Sequence, residues 1–186
     1  APVVFLHGNP DCKEGWLETI ELLRDTYRCI ALDLPGFGTQ AQLPSYRALL
    51  PDAQAAALSE LLDHLGIHQP VLLVAHDLGA LMTAMFSLQH PERVRGILAI
   101  NTTFRASYPG HHWGYLWSLP VIGPHLASLM RRWLKNALQK ESPQVAPQHA
   151  DRMVANLDTT TCRAITRYYQ LMDNPLVKIL QRFGGT

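Results

Sequence analysis

The feature that most constrains the fold is an abrupt change of pattern near the middle of the chain. Val71–Ala75 is a run of apolar residues without polar alternation, which is typical of a strand buried in a parallel sheet. Leu78–Leu88 follows with the pattern of a helix. His76 and Asp77 must therefore occupy a sharp strand-to-helix turn, with the Asp77 carboxylate at its tip. A simpler alternative is that Asp77 only caps the helix, since Asp is a preferred N-cap residue and its charge suits a helix N-terminus.

Apolar runs on either side of this turn predict three more strands of the same kind, separated by segments of helical periodicity. This alternation indicates an α/β fold, with a parallel sheet flanked by helices. In such sheets ligands bind beyond the carboxyl ends of the strands, where the winding of the sheet reverses. A reversal that brings the turn at His7–Pro10 beside the turn at His76–Asp77 predicts a spatial order of strands, which is Tyr27–Leu34, Pro2–Leu6, Val71–Ala75 and Arg95–Asn101.

From Thr102 onward the strand pattern stops, and helical segments punctuated by prolines take over. These segments are predicted at Tyr115–Leu119, His125–Leu138, Ala150–Leu157 and Arg163–Met172. We interpret them as a second, helical layer.

The composition excludes several classes of partner. The 186 residues include 16 basic and 15 acidic residues without long runs of either, which gives no electrostatic footprint for nucleic acid or an anionic membrane. No apolar run approaches the roughly 20 residues that span a bilayer. The three cysteines are odd in number and lack the spacing of a zinc site, so we expect reduced thiols and no metal. We also expect a cytoplasmic protein that uses no cofactor. Because the chain opens at Ala1 directly on a strand, we expect it to be part of a longer protein.

A carboxylate at a sharp turn has a specific chemical use. A serine hydroxyl must lose a proton before it attacks, whereas the Asp77 carboxylate is already ionised at neutral pH and can displace a leaving group from saturated carbon. The product is an ester on Asp77. We expect the Asn9 side-chain N–H and the Leu78 backbone N–H to stabilise the charge that develops on the leaving group.

Several short motifs together resemble the α/β-hydrolase superfamily. Ala75-His76-Asp77-Leu78-Gly79 has the spacing of the nucleophile elbow G-x-S-x-G, with Asp in the place of Ser. The other landmarks are His7-Gly8-Asn9-Pro10 with Trp16, Asp33-Leu34-Pro35-Gly36-Phe37-Gly38, and His90-Pro91-Glu92-Arg93-Val94. Asp at the elbow together with H-G-N-P resembles the haloalkane dehalogenases and, less closely, the epoxide hydrolases. The resemblance implies that residues 1–101 form part of the hydrolase core, and that residues 102–186 form a helical cap domain over a pocket for a small apolar substrate.

The chain departs from this family where the chemistry needs further residues. The catalytic His has no counterpart, because no His follows His149. The triad acid is missing as well, since Asn101-Thr102-Thr103 ends the fourth strand without a carboxylate. The dehalogenases usually carry a Trp after the nucleophile as a halide donor, and Leu78 takes that place here. The resemblance leaves Trp113 and Trp117 of the cap as candidates for the missing donor.

Three functions follow from these observations. The leading one is a hydrolase of haloalkane dehalogenase type, in which an alkyl ester forms on Asp77 and is then hydrolysed. The nearest rival is an epoxide hydrolase, with cap tyrosines such as Tyr168 and Tyr169 protonating the epoxide oxygen. The third is a catalytically incomplete binding protein of the same fold. His7 is expected to orient its loop by hydrogen bonds, and His76 is given no catalytic role.

The predicted sheet also has consequences for association. Tyr27–Leu34 and Arg95–Asn101 are expected to be its open edges, and open edges are templates for pairing with another chain. We therefore expect a homodimer that forms through these strands.

Overall fold

The computed structural model describes residues 1–38, 42–102, 116–141, 143 and 146–173. The chain divides into two compact units. The first comprises Ala1–Leu34 and Arg47–Phe104, and the second comprises Pro35–Tyr46 and Arg105–Thr186. The segment after the second strand thus groups with the helical part of the chain. The domain functions assigned to residues 1–101 and 102–186 stay predictions.

The first unit is built on a four-stranded parallel sheet. Its strands are β1 (Pro2–Leu6), β2 (Arg28–Leu32), β3 (Val71–His76) and β4 (Val94–Ile100), in the spatial order β2-β1-β3-β4. This confirms the order and direction that the sequence predicts. Leu6 is in register with both Leu32 and Ala75, so three strands reach the same level of the sheet at their carboxyl ends.

Three helices flank this sheet, namely α1 (Leu17–Leu23), α2 (Pro51–His64) and α3 (Gly79–Gln89). Single 3-10 turns lie at Lys13–Trp16, Arg47–Leu49 and Pro91–Arg93. Helix α2 begins with a proline at its first positions and is followed by Gly66 at φ 66°, which are the start and stop signals that the sequence carries. Its buried face includes Ala55, Leu58 and Leu62 at helical spacing.

The two central strands and the outer strand β4 differ in burial. All of β1 is buried, and β3 alternates buried and half-buried residues. In β4, by contrast, Ile97, Leu98 and Ile100 are 46%, 57% and 38% exposed. The core of the unit therefore lies around β1 and β3, and β4 presents an apolar edge.

The second unit is helical where the structure describes it. It contains α4 (Ile122–Glu141), α5 (Pro147–Ala155) and α6 (Thr159–Asp173), and residues 116–118 form one further helical turn. All three helices start three or four residues earlier than predicted. Pro124 lies in the first turn of α4, where the missing N–H costs nothing. Asp158 accepts a hydrogen bond from the Thr161 N–H at 2.7 Å and so begins α6 before Arg163.

Helix α6 also holds the segment that follows β2. Phe37 packs on Tyr168 with ring centroids 5.8 Å apart. Arg167 stacks on Tyr46 at 4.9 Å and donates to the Pro44 carbonyl. These contacts explain why Pro35–Tyr46 belongs to the helical unit.

In the described part of the chain, no helix combines the length and apolar character that crossing a membrane requires.

Candidate active site

Asp77 lies between the end of β3 and the start of α3, at φ 48°. This left-handed conformation is uncommon for residues with a side chain, and Asp tolerates it better than most. Gly79 makes the sharp turn sterically feasible. A Cβ on Gly79 would lie 2.7 Å from the His7 carbonyl oxygen and 2.8 Å from the Leu6 Cβ. The turn therefore brings the start of α3 against the end of β1.

The backbone of the elbow is fixed from β4 as well. The Asp77 N–H donates to the Ile100 carbonyl at 3.3 Å. The Asp77 carbonyl accepts from the Ala80 N–H at 3.1 Å and from the Thr102 hydroxyl at 3.2 Å. Thr102 is a contact that the sequence reasoning missed, because nothing in its local pattern distinguishes it from any other polar residue after a strand.

The Asp77 carboxylate does not serve as a helix cap. Leu78 is the N-cap residue of α3, and the helix has no side-chain cap hydrogen bond. The Asp77 Oδ1 instead accepts a hydrogen bond from the Asn9 backbone N–H at 2.8 Å. Asp77 thus makes no side-chain cap hydrogen bond to α3, and the predicted proximity of the two turns is observed.

Asn9 reaches Asp77 because Gly8 permits a very close approach. A Cβ on Gly8 would lie 2.3 Å from the Asp77 Cβ and 2.8 Å from its Oδ1. The Asn9–Pro10 peptide bond is cis. The side-chain Oδ1 of Asn9 is buried and has no hydrogen-bond partner among the residues that the structure describes. Side-chain oxygen and nitrogen of an amide can exchange places by a simple flip, so this buried end of Asn9 is available to a ligand as donor or acceptor.

His7 fastens the same loop to the end of β2. It is 1% exposed, with its Nδ1 2.8 Å from the Gly8 carbonyl oxygen. Its Nε2 lies 2.9 Å from the Leu34 backbone nitrogen. Burial lowers the pKa of His7 from its ordinary value of 6.5, against the opposing effect of the Gly8 hydrogen bond and nearby carboxylates. The expected role of His7 in orienting its loop agrees with these contacts.

Charged and sulfur-containing residues lie around the same loop. The Lys13 backbone N–H donates to Asp33 Oδ1 at 2.8 Å, and the Lys13 ammonium pairs with Asp33 Oδ2. The hydrogen bond that the Lys13 ammonium donates to the Asp33 carboxylate raises the pKa of Lys13. Burial raises the pKa of the Cys12 thiol to about 12, so this thiol is protonated and is no nucleophile at neutral pH. All three cysteines are free thiols.

The remaining predicted site residues lie in different places. Leu78 is 7% exposed, and its backbone N–H at the start of α3 has no acceptor within the helix. Trp117 belongs to the second unit and packs on Tyr169, with ring centroids 5.1 Å apart. Trp113 lies outside the described residues. No group of three or more His, Cys, Asp or Glu side chains that could hold a metal ion is found within the described ranges.

Comparisons with known proteins agree with this architecture. A family model described as alpha/beta hydrolase fold matches residues 1–183. Epoxide hydrolase 2 of Siraitia grosvenorii is 39% identical over 108 residues, which cover 58% of this chain and 34% of that protein. Haloalkane dehalogenase 2 of Mycobacterium tuberculosis is 34% identical over 103 residues, which cover 55% of this chain and 35% of that protein. These matches span only about a third of the length of each curated relative.

A solved structure extends the likeness to the fold. The epoxide hydrolase from Vigna radiata has a TM-score of 0.79 at 23% identity, covering 97% of this chain and 67% of that one. At this identity the likeness concerns the fold alone. Because the family model covers nearly the whole sequence and the sheet order and elbow are as described, the chain belongs to the α/β-hydrolase fold family.

Proposed function

We propose that Asp77 is the nucleophile of a hydrolase of haloalkane dehalogenase type, acting on a small apolar substrate. The observation that carries the proposal is a carboxylate, rather than a hydroxyl, at the tip of the elbow. The Asn9 N–H holds its Oδ1 at 2.8 Å. Its Oδ2 has no hydrogen bond among the described residues, and it is the oxygen to which we assign the attack.

The reaction begins with displacement at saturated carbon. Oδ2 forms a bond to that carbon while the carbon–halogen bond breaks, and the halide leaves with the bonding electron pair. The buried end of the Asn9 side chain has no described partner, so a flipped amide could offer its N–H to the departing halide. The Leu78 backbone N–H is a second donor for this charge.

Release of the product needs water and a base. Water attacks the carbonyl carbon of the ester while the base takes a proton from it. The bond from this carbon to Oδ2 or its exchanged equivalent breaks, the alcohol leaves with a proton, and the Asp77 carboxylate is restored. The Asn9 N–H, which contacts Oδ1 at 2.8 Å, favours the negative charge that develops on the carbonyl oxygen during the attack. No residue of this chain is assigned as the base. Complete hydrolysis is therefore proposed for a protein in which a base has access to the ester, whereas formation of the ester requires only the residues named above.

An alkylation experiment tests the proposal. The chain is incubated with 1-bromobutane, bromide release is measured, and intact mass with peptide mapping locates the adduct. We expect bromide release with one butyl group on Asp77. Asp77→Asn is the matched variant, because Asn keeps the shape of the side chain and also tolerates a positive φ. Bromide release that persists in Asp77→Asn would remove the nucleophile from the proposal.

Two observations favour an epoxide hydrolase as the second candidate. Leu78 occupies the position where dehalogenases usually place a halide-binding Trp, and the relative with 39% identity is named an epoxide hydrolase. In this candidate an Asp77 oxygen bonds to one carbon of the epoxide while the bond from that carbon to the ring oxygen breaks, and the ring oxygen takes up a proton. A parallel incubation with styrene oxide distinguishes the two candidates. An adduct on Asp77 that forms with styrene oxide but not with 1-bromobutane would favour the epoxide hydrolase. Adducts from neither reagent would favour the binding protein.

We also propose a cytoplasmic location, which the three free thiols support because they are typical of reducing compartments. Fractionation of cells that express a tagged protein tests this, and recovery outside the cytoplasm would contradict it.

A further inference from the structure

We propose that His7 is a positioning residue for Asp77, acting through the peptide group that joins Gly8 to Asn9. The inference rests on the proposed function in one respect, namely that one of its tests measures the rate of alkylation. The geometry itself does not depend on the substrate.

The partners of the imidazole fix its tautomer. The Gly8 carbonyl 2.8 Å from Nδ1 can only accept a hydrogen bond, so Nδ1 carries the proton. The Leu34 backbone N–H 2.9 Å from Nε2 can only donate, so Nε2 presents its lone pair. The ring is 1% exposed, so water does not compete for either nitrogen. His7 is therefore neutral, and it joins the loop after β1 to the end of β2.

The hydrogen bond at Nδ1 acts on Asp77 through one rigid plane. The Gly8 carbonyl and the Asn9 N–H belong to the same trans peptide group, and they point in opposite directions. On one side the carbonyl accepts from His7 and from the Asp11 N–H at 3.0 Å. On the other side the N–H donates to Asp77 Oδ1 at 2.8 Å. A rotation of this plane that breaks the first contact also turns the Asn9 N–H away from the carboxylate.

Only the neutral ring can make both contacts. A protonated ring would direct an N–H from Nε2 against the Leu34 N–H, so one of two donors would lose its acceptor. Asp33 Oδ1 lies 3.9 Å from Nε2 and would attract the charged form, but the Lys13 ammonium pairs with the same carboxylate. Three carboxylates act electrostatically on the ring, namely Asp11, Glu14 and Asp33. The Lys13 ammonium pairs with two of them, Glu14 and Asp33. Burial outweighs the attraction of the carboxylates and lowers the pKa of His7, which keeps the ring neutral near pH 7.

Two variants separate the two hydrogen bonds of the ring. The amide of Asn reaches about as far as Nδ1, so His7→Asn can still donate to Gly8 but not accept from Leu34. The amide of Gln reaches about as far as Nε2, so His7→Gln can still accept from Leu34 but not donate to Gly8. Each variant loses one hydrogen bond and creates a small gap. If His7 only stabilises the fold, the two variants should therefore lose similar amounts of stability and of alkylation rate.

The measurements are thermal unfolding, the NMR shift of the Asn9 amide proton, and the rate of the first bromide release from 1-bromobutane. We expect a downfield Asn9 amide, as for a donor to a carboxylate, in the wild type and in His7→Asn but not in His7→Gln. We expect alkylation to slow about 10- to 100-fold in His7→Gln and less than about threefold in His7→Asn, since misplacement near 1 Å has effects of the larger size. Equal effects in the two variants, or effects that follow only the unfolding temperature, would overturn the proposal.

Nitrogen NMR of the wild-type imidazole provides a test that needs no variant. Protonation at Nδ1 is expected, together with loss of the downfield Asn9 amide when acid protonates the ring. A proton on Nε2 at neutral pH, or an Asn9 amide without a downfield shift, refutes the positioning role even if the variants fail to fold. A wild type with the expected amide and tautomer but no alkylation would support positioning while contradicting the proposed dehalogenase reaction.

Discussion

Replacing Gly8 by Ala tests whether the close approach of the loop to the elbow is required for chemistry. The added Cβ would lie 2.3 Å from the Asp77 Cβ and 3.0 Å from its Cγ. Carbon atoms in contact are normally about 3.5–4.0 Å apart. The loop and the elbow must therefore separate by more than about 1 Å before the methyl group fits.

The expected magnitude follows from the hydrogen bond that this separation disrupts. The Asn9 N–H donates to Asp77 Oδ1 at 2.8 Å, and a displacement of about 1 Å takes the pair beyond hydrogen-bond range. Misplacement of this size costs on the order of 10²-fold in rate, or about 2.7 kcal/mol of activation free energy. Overpacking should lower the free energy of unfolding by about 1–3 kcal/mol.

The assay is first-turnover bromide release from 1-bromobutane, measured with a chemical unfolding curve for each variant. Gly96→Ala is the matched control, since its Cβ would meet only the end of the Leu72 side chain, at 3.3 Å. We expect its rate to equal that of the wild type. A folded Gly8→Ala chain that alkylates at the wild-type rate would refute the argument that this contact positions Asp77.

Three other predictions concern the nucleophile, the imidazole and the sheet edge. Asp77→Asn should abolish alkylation while leaving the unfolding temperature within a few degrees, as intact mass and calorimetry would show; persistent adduct formation contradicts it. Because the pKa of folded His7 lies below the unfolded value, the unfolded chain binds the proton more readily, and this contribution to stability should be lost as pH falls from about 6.5 towards the folded pKa. Unfolding curves at several pH values measure this, and a slope that is the same in His7→Asn excludes His7 as its source. Leu98 on β4 is 57% exposed, and Leu98→Lys should weaken association through this strand. A wild-type protein that sediments as a monomer at high concentration would contradict the predicted dimer.

The strand order was predictable because topology and chemistry restrict it together. Parallel strands need crossover helices, and only a reversal beside the first strand brings the turn at His7–Pro10 next to Asp77. The starts of the helices in the second unit were less predictable. A proline such as Pro124 both interrupts helices and fits their first turn, and the sequence alone does not decide which of these applies.

The site was predictable at the level of residues but less so at the level of atoms. The sequence predicted that Asn9 lies near Asp77 and that its side-chain amide contributes the hydrogen-bond donor of the site. The observed contact to the carboxylate uses the Asn9 backbone N–H. Backbone donors are present at nearly every residue, so their use depends on the loop path that Gly8 allows. Thr102 was missed for a related reason, since its hydrogen bond to the Asp77 carbonyl arises only after β4 is placed beside β3.

The side chain of Asn9 offers a final test, because stability and activity should change in different ways. Its Oδ1 is buried without a partner among the described residues, and a buried polar atom in that situation lowers stability by about 1–3 kcal/mol. Asn9→Ala removes this cost and leaves a small gap. We therefore expect a free energy of unfolding within about 1 kcal/mol of the wild type, or higher. Alkylation should slow by about 10²–10³-fold, as for the loss of one preorganised donor.

Gln54 is the matched control, since it is another inward-facing amide but its hydrogen bond is made within the protein. Its Nε2 donates to the Leu49 carbonyl at 2.8 Å, and the residue is 6% exposed. Gln54→Ala leaves that carbonyl unsatisfied, so it should destabilise the fold by about 1–3 kcal/mol while the folded fraction alkylates normally. Asn9→Ala is thus expected to slow alkylation with little loss of stability, and Gln54→Ala to lower stability with normal alkylation. This contrast distinguishes an amide that serves a ligand from one that serves the fold. If Asn9→Ala loses as much stability as Gln54→Ala and alkylates at the wild-type rate, the Asn9 amide is structural, and the leaving group must be stabilised elsewhere.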